Sequence, residues 1–255
     1  MQTVLLVVSQ LSERDANTER TDTYAQRGGQ EVKVEYIRHM GDDLAVIDAA
    51  RVSFNKASAW EITKQADGQT HQVLNNKDAR LLKYLAENKH WTPFAHPQVT
   101  IRITMPIYVA RQLAKHQVGG VVNEVSRRYV AYTPDLDVPE QWRKSAANVK
   151  QGSSDQLVSI DPSFREQIDK TMRATTQLYE DLLLAGVCPE QARVVLPVCS
   201  ETTWIWTGSL IFFARVCKLR LDAHAQKETR DVAERISRIM AELFPESWQA
   251  LMGDL

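Results

Sequence analysis

The sequence of 255 residues is poor in cysteine, with only Cys188, Cys199 and Cys217. An odd number without Cys-x-x-Cys spacing excludes a disulfide framework and a thiolate zinc module, and fits a reducing cytoplasm. The thiols themselves read as core-packing groups. The six histidines also lack a zinc spacing, and His39, His71 and His96 read as structural or surface groups. Excess charge of one sign is missing too, 31 Lys plus Arg standing against 32 Asp plus Glu. No overall field draws the chain to nucleic acid or to a membrane, so any anion site must be local.

Long hydrophobic runs are absent. Val4-Leu5-Leu6-Val7-Val8 is too short to cross a bilayer and reads as a strand, with no basic region or small-residue cleavage site beside it. The denser run around Ile211-Phe212-Phe213 is interrupted by Arg215, Lys218 and Arg220. There is no internal repeat and no low-complexity tract.

What the chain does have is 44% hydrophobic residues, enough for a substantial core. Residues 1–33 read as an N-terminal strand and extension, and 34–255 as the main domain. A helix is expected after Gly41, with Asp42 or Asp43 as its cap, ending near Ser53-Phe54. A loop should follow over 55–76, then a short helix over 77–88. Val99, Ile101 and Ile103 alternate with Thr100, Arg102 and Thr104 as in a half-buried strand. Pro106 then opens a helix that should fail at Gly119-Gly120, leaving a loop. Asp161-Pro162 is a strong helix start, with Phe164, Ile168, Met172, Thr175, Leu178 and Leu182 as the buried face and Gly186 as its stop. Helical stretches are expected at about 204–219 and 222–243. The sum is an α+β fold with a modest mixed or antiparallel sheet and a helix-rich second half.

Polar groups are densest over 111–128, where Arg111, Gln112, Lys115, His116, Gln117, Asn123, Glu124, Ser126, Arg127 and Arg128 flank a helix end and two glycines. Guanidinium groups grip phosphate oxygens bidentately, and glycine lets the main chain come close. A nucleotide phosphate suits this segment; a solvated charged helix end is the plain alternative. Ser126 lacks the Gly-x-Ser-x-Gly turn of a hydrolase nucleophile.

This segment resembles the signature of the flavin-dependent thymidylate synthases, Arg-His-Arg, seven residues, then Ser. Here Lys115-His116-Gln117 stands for Arg-His-Arg and eight residues precede Ser126. Further blocks match in the family's order: Met40-Gly41-Asp42-Asp43-Leu44, Ala50-Arg51-Val52-Ser53-Phe54, Thr92-Pro93-Phe94-Ala95-His96, 106–112, 192–197 and 219–226. The resemblance covers about residue 34 to the C-terminus.

It implies that Gln112, Lys115, Ser126, Arg127, Arg128 and Arg193 bind dUMP, chiefly at phosphate and sugar, with Glu124 at the junction of nucleotide and flavin. It puts Arg220 at the pyrimidine ring as the catalytic cation. His90, Thr92, His116, Gln117, Ser209 and His224, again with Glu124, fall where the family binds FAD, in a homotetramer with shared active sites. NADPH and methylenetetrahydrofolate are the implied co-substrates. The family often has Asn, Arg and Asn at the positions of Ser209, Ile211 and Arg215, so the flavin side has been rebuilt here. Two rivals stand beside this: hydroxymethylation of a pyrimidine nucleotide on the same fold, and a non-enzymatic nucleotide- or nucleic-acid-binding protein using Lys115, Arg127 and Arg128 as a basic patch.

Overall fold

A computed structural model describes residues 32–64, 70–146 and 153–253. The strand expected at Val4 to Val8 lies outside them.

The centre is a four-stranded antiparallel sheet in the order β1-β4-β8-β5, made of β1 (Lys33–Met40), β4 (Gln98–Pro106), β8 (Glu201–Ser209) and β5 (Gly120–Glu124). Two hairpins lie apart from it, β2 (Glu61–Lys64) with β3 (Thr70–Val73), and β6 (Trp142–Ser145) with β7 (Ser153–Val158). The first occupies part of the stretch expected to be loop.

Strand period dictates the layers. Val99, Ile101, Ile103 and Met105 of β4 are buried on one face. Of the alternate residues, Thr100 and Thr104 bond across to Thr207 and Thr203, each at 3.0 Å. The buried face meets α1 (Asp43–Arg51), α6 (Leu210–Arg220), α7 (Lys227–Leu243) and α8 (Pro245–Met252) in one hydrophobic core. Helices α2 (Asn76–Glu87), α3 (Ile107–Leu113), α4 (Pro162–Leu184) and α5 (Pro189–Ala192) complete the chain. The fold is α+β with an antiparallel sheet, as the sequence implied. Among the described residues no helix is long and apolar enough to cross a membrane.

Asp42 and Asp43 divide the capping work. Asp42 Oδ1 accepts from Ala45 N at 2.8 Å and starts α1. Buried Asp43 instead accepts from Glu246 N and Ser247 N at 3.0 and 2.9 Å, tying the start of α8 to α1. Burial raises the Asp43 pKa against those bonds.

Three expectations are corrected. Residues 204–209 are strand, and helix begins only at Leu210, capped by Ser209 Oγ accepting from Phe212 N at 3.3 Å. Thr202, Trp204, Trp206 and Gly208 are buried alternately with half-exposed neighbours, so period two wins where threonine and tryptophan favour a pleated surface. Residues 120–124 form edge strand β5 rather than loop, because Val121 and Val122 continue into pairing with β8 after Gly119 turns at φ +92°. In α4 only Thr176 and Tyr179 are buried, while Phe164, Leu178 and Leu184 stand 59%, 47% and 83% exposed.

Candidate functional site

The site grows from two helix ends. α3 stops at Leu113, and the last carbonyls of a helix have no partner within it. Arg220, in the last turn of α6, donates through Nη2 to the Gln112 carbonyl at 2.8 Å and through Nε to His116 Nε2 at 2.9 Å. The cation thus meets the negative end of α3. Burial draws the Arg220 pKa down from its ordinary value, yet a guanidinium remains charged. Burial first, and the Arg220 charge second, hold the His116 pKa below its usual 6.5. The accepting Nε2 leaves the imidazole proton on Nδ1.

Gln112 Nε2 also donates to Gln226 Oε1 at 2.5 Å, so Gln112, His116, Arg220 and Gln226 form one connected group. Lys115 and Gln117 flank it, both exposed.

β5 carries the chain from there to Ser126, Arg127 and Arg128. At its end Glu124 Oε1 accepts from Thr202 Oγ1 at 2.6 Å. The following turn is closed by Tyr129 N and Val130 N donating to the Ser126 carbonyl at 2.9 and 3.2 Å. Arg127 lies over the Tyr132 ring at 4.5 Å and donates to the Tyr132 carbonyl at 2.6 Å. Arg128 lies over the Tyr129 ring at 5.0 Å and donates to its hydroxyl at 2.9 Å. Stacking fixes the plane of each fork and leaves further N–H groups for an anion.

Other residues named from the sequence stand apart. The buried Ser209 hydroxyl is used as the α6 cap, although Ser209 N bonds to the Gly119 carbonyl at 3.1 Å beside the turn. Exposed His224 is held by Asp222 at 2.9 Å. His90 stacks on Tyr84, ring centres 5.9 Å apart, and exposed Thr92 precedes a short 3-10 turn. Trp91 between them is 51% exposed and has Arg215 at 5.8 Å. Arg193 is exposed, its Nε directed to the Glu190 carbonyl at 3.3 Å. Neither Arg193 nor the pair His90 and Thr92 hydrogen-bonds to the Arg220 group among the described residues.

Sequence reading missed the supporting residues Tyr129, Tyr132, Thr202 and Gln226. Gln226 carried a signal in the block 219–226 and Tyr129 in closing the signature stretch directly after Arg128, whereas Tyr132 and Thr202 carried none. It also misjudged Cys188, which is exposed rather than packed. Burial pushes the thiols of Cys199 and Cys217 up, which disfavours either as a thiolate nucleophile.

The family model described as "Thymidylate synthase complementing protein" matches residues 35–246. A flavin-dependent thymidylate synthase of Thermosipho africanus is 33% identical over 226 residues, covering 85% of this chain and 91% of that protein. One from Thermotoga neapolitana is 33% identical, covering 87% of this chain and 94% of its own. Among solved structures, the UMP/dUMP methylase PolB of Streptomyces cacaoi bound with 5-Br dUMP superposes with a TM-score of 0.71 at 26% identity, over 87% of this chain and 95% of PolB.

Proposed function

The chain belongs to the flavin-dependent thymidylate synthase family, and on that footing we propose that it converts dUMP to dTMP, with methylenetetrahydrofolate as one-carbon donor and NADPH as reductant. The observation that carries this reading is Arg220, a permanent cation anchored at once to His116 and the Gln112 carbonyl. A cation fixed in this way needs no reorganisation as negative charge develops on the pyrimidine ring at C5. Arg127 and Arg128, each laid on a tyrosine ring, have the form and charge to hold the 5′-phosphate, with Ser126 and Lys115 as further donors.

The donor set also fits FAD. His90, Thr92, His116, Gln117 and His224 are neutral or cationic donors, and the neighbouring carboxylates of Glu124 and Asp222 are engaged by Thr202 and His224. The donors suit an anionic diphosphate, while both carboxylates keep their charge and are turned to partners of their own. Bound FAD supplies the hydride that no side chain can carry.

Self-association belongs to the same proposal. The exposed stripe on α4 and the separation of Arg193, His90 and Thr92 from Arg220 both favour sites completed by neighbouring copies, in a homotetramer. A second reading, that UMP is methylated as well, is favoured by the likeness to PolB.

Purified protein is expected to bind FAD with flavin absorbance and to oxidise reduced flavin in a dUMP-dependent way. A protein that takes up no FAD, or whose flavin ignores dUMP, would contradict the proposal.

A further inference from the structure

Glu228 carries none of the roles assigned above, yet its carboxylate ends a hydrogen-bond chain that begins at Gln112. Arg143 Nη2 lies 2.7 and 2.9 Å from the two Glu228 oxygens, with both side chains 19% exposed. Gln226 Nε2 donates to Glu228 Oε2 at 2.9 Å, and Gln112 Nε2 donates to Gln226 Oε1 at 2.5 Å.

The chemistry of these groups gives the chain a direction. An ionised carboxylate only accepts, so Gln226 must turn its NH2 toward Glu228. Its carbonyl oxygen then faces Gln112, which must answer with its own NH2. Gln112 Oε1 is left as the free acceptor, with no hydrogen bond among the described residues. Burial favours the neutral acid at Glu228, but bonds from its backbone N–H, Arg143 and Gln226 outweigh this and hold the pKa below the ordinary range. The main chain at the far end is held as well, since Arg220 grips the backbone carbonyl of Gln112.

We propose that Glu228 is a positioning residue that sets the amide polarity of Gln112 through Gln226, so that Gln112 offers Oε1 to a hydrogen-bond donor of the nucleotide. The inference rests on the nucleotide reading above. It adds a selection rule: the nucleotide group opposite Gln112 is a donor, either the N3–H of a uracil ring or a ribose hydroxyl. A ligand with an acceptor there meets oxygen against oxygen.

The test is calorimetric binding to the FAD-loaded protein, with dUMP, 3-methyl-dUMP and 3′-deoxy-dUMP as probes. Gln226→Met cuts the chain without touching the Arg143–Glu228 pair, and Glu228→Gln releases its direction, since an amide both donates and accepts. Each is expected to weaken dUMP binding roughly tenfold, the scale of one hydrogen bond. The double variant Gln226→Glu with Glu228→Gln moves the carboxylate one link closer and again obliges Gln112 to donate its NH2. It is expected to recover wild-type affinity although the Arg143 ion pair is lost, which a merely structural role for that pair would not allow. Whichever analogue lacks the donor should bind wild type weakly and be insensitive to Gln226→Met, which tells the ring from the sugar. Unchanged dUMP affinity in Gln226→Met, or no recovery in a folded double variant, would overturn the inference. Wild-type protein that does not bind dUMP would overturn the function reading and this inference with it.

Discussion

Arg220 Nε and His116 Nε2 meet at 2.9 Å, with the arginine donating. The bond exists only while His116 is neutral. With the folded pKa held below 6.5 by burial and by Arg220, the stabilising contribution of this histidine is complete above the unfolded value of about 6.5 and is lost as pH falls through the folded one. Activity should therefore be insensitive to the titration of His116 at neutral pH and decline only on the acid side, with thermal stability falling in the same window. A pH profile of kcat, read beside melting curves, checks this; an activity loss centred above pH 6.5 would assign the titration to another group.

Arg220→Ala should lower turnover by about 10²–10³-fold, the usual cost of removing a donor aimed at developing charge. Arg220→Lys should recover little of it, because one ammonium cannot reproduce the planar fork that serves His116 and the Gln112 carbonyl together. Single-turnover kinetics with saturating dUMP give the number.

Arg127→Ala and Arg128→Ala should act on binding instead. Each removes charge-assisted bonds worth about 1.5–3 kcal/mol, so the dUMP dissociation constant should rise about 10- to 100-fold with kcat at saturation little changed. Calorimetry and steady-state kinetics separate the two effects.

Much of this was legible in the residues, and the failures have physical causes. The cap at Asp42, the Pro162 helix start and the β4 alternation are local signals, and each appears where expected. The 204–209 stretch misled because tryptophans and an isoleucine running into Leu210 read as one apolar block; pairing with β4 and β5 made its first part a strand. Gly120 looked like a loop glycine. It is a strand residue whose missing Cβ makes room for the Phe212 ring, a contact from far along the chain. The site divides likewise: Lys115 through Arg128 are contiguous, whereas the bonds from Thr202 to Glu124 and from Gln226 to Gln112 join residues distant in sequence.

Gly208→Ala tests that packing. Its Cβ would enter the Phe212 ring, which is itself wedged edge-on against Trp206 and Phe213 at 5.2 and 5.1 Å. With no room to yield, the substitution should cost about 1–3 kcal/mol. Denaturant unfolding measures it, and an unchanged midpoint would show the ring to be free to move.

Leu178→Arg tests the exposed face of α4. A charge on this stripe should dissociate the assembly, seen as a fall in mass by light scattering, with helix content kept and turnover lost. Full activity in a monomer would show that one chain suffices.

The most direct measurement is the mass of the nucleotide after incubation of the protein with dUMP, methylenetetrahydrofolate, NADPH and FAD. A product one CH2 heavier than dUMP, formed about 10²–10³-fold more slowly with Arg220→Ala, is the expected result. Unchanged dUMP under reducing conditions would contradict the methylation reading, and a hydroxymethylated product would keep the fold while contradicting the reaction.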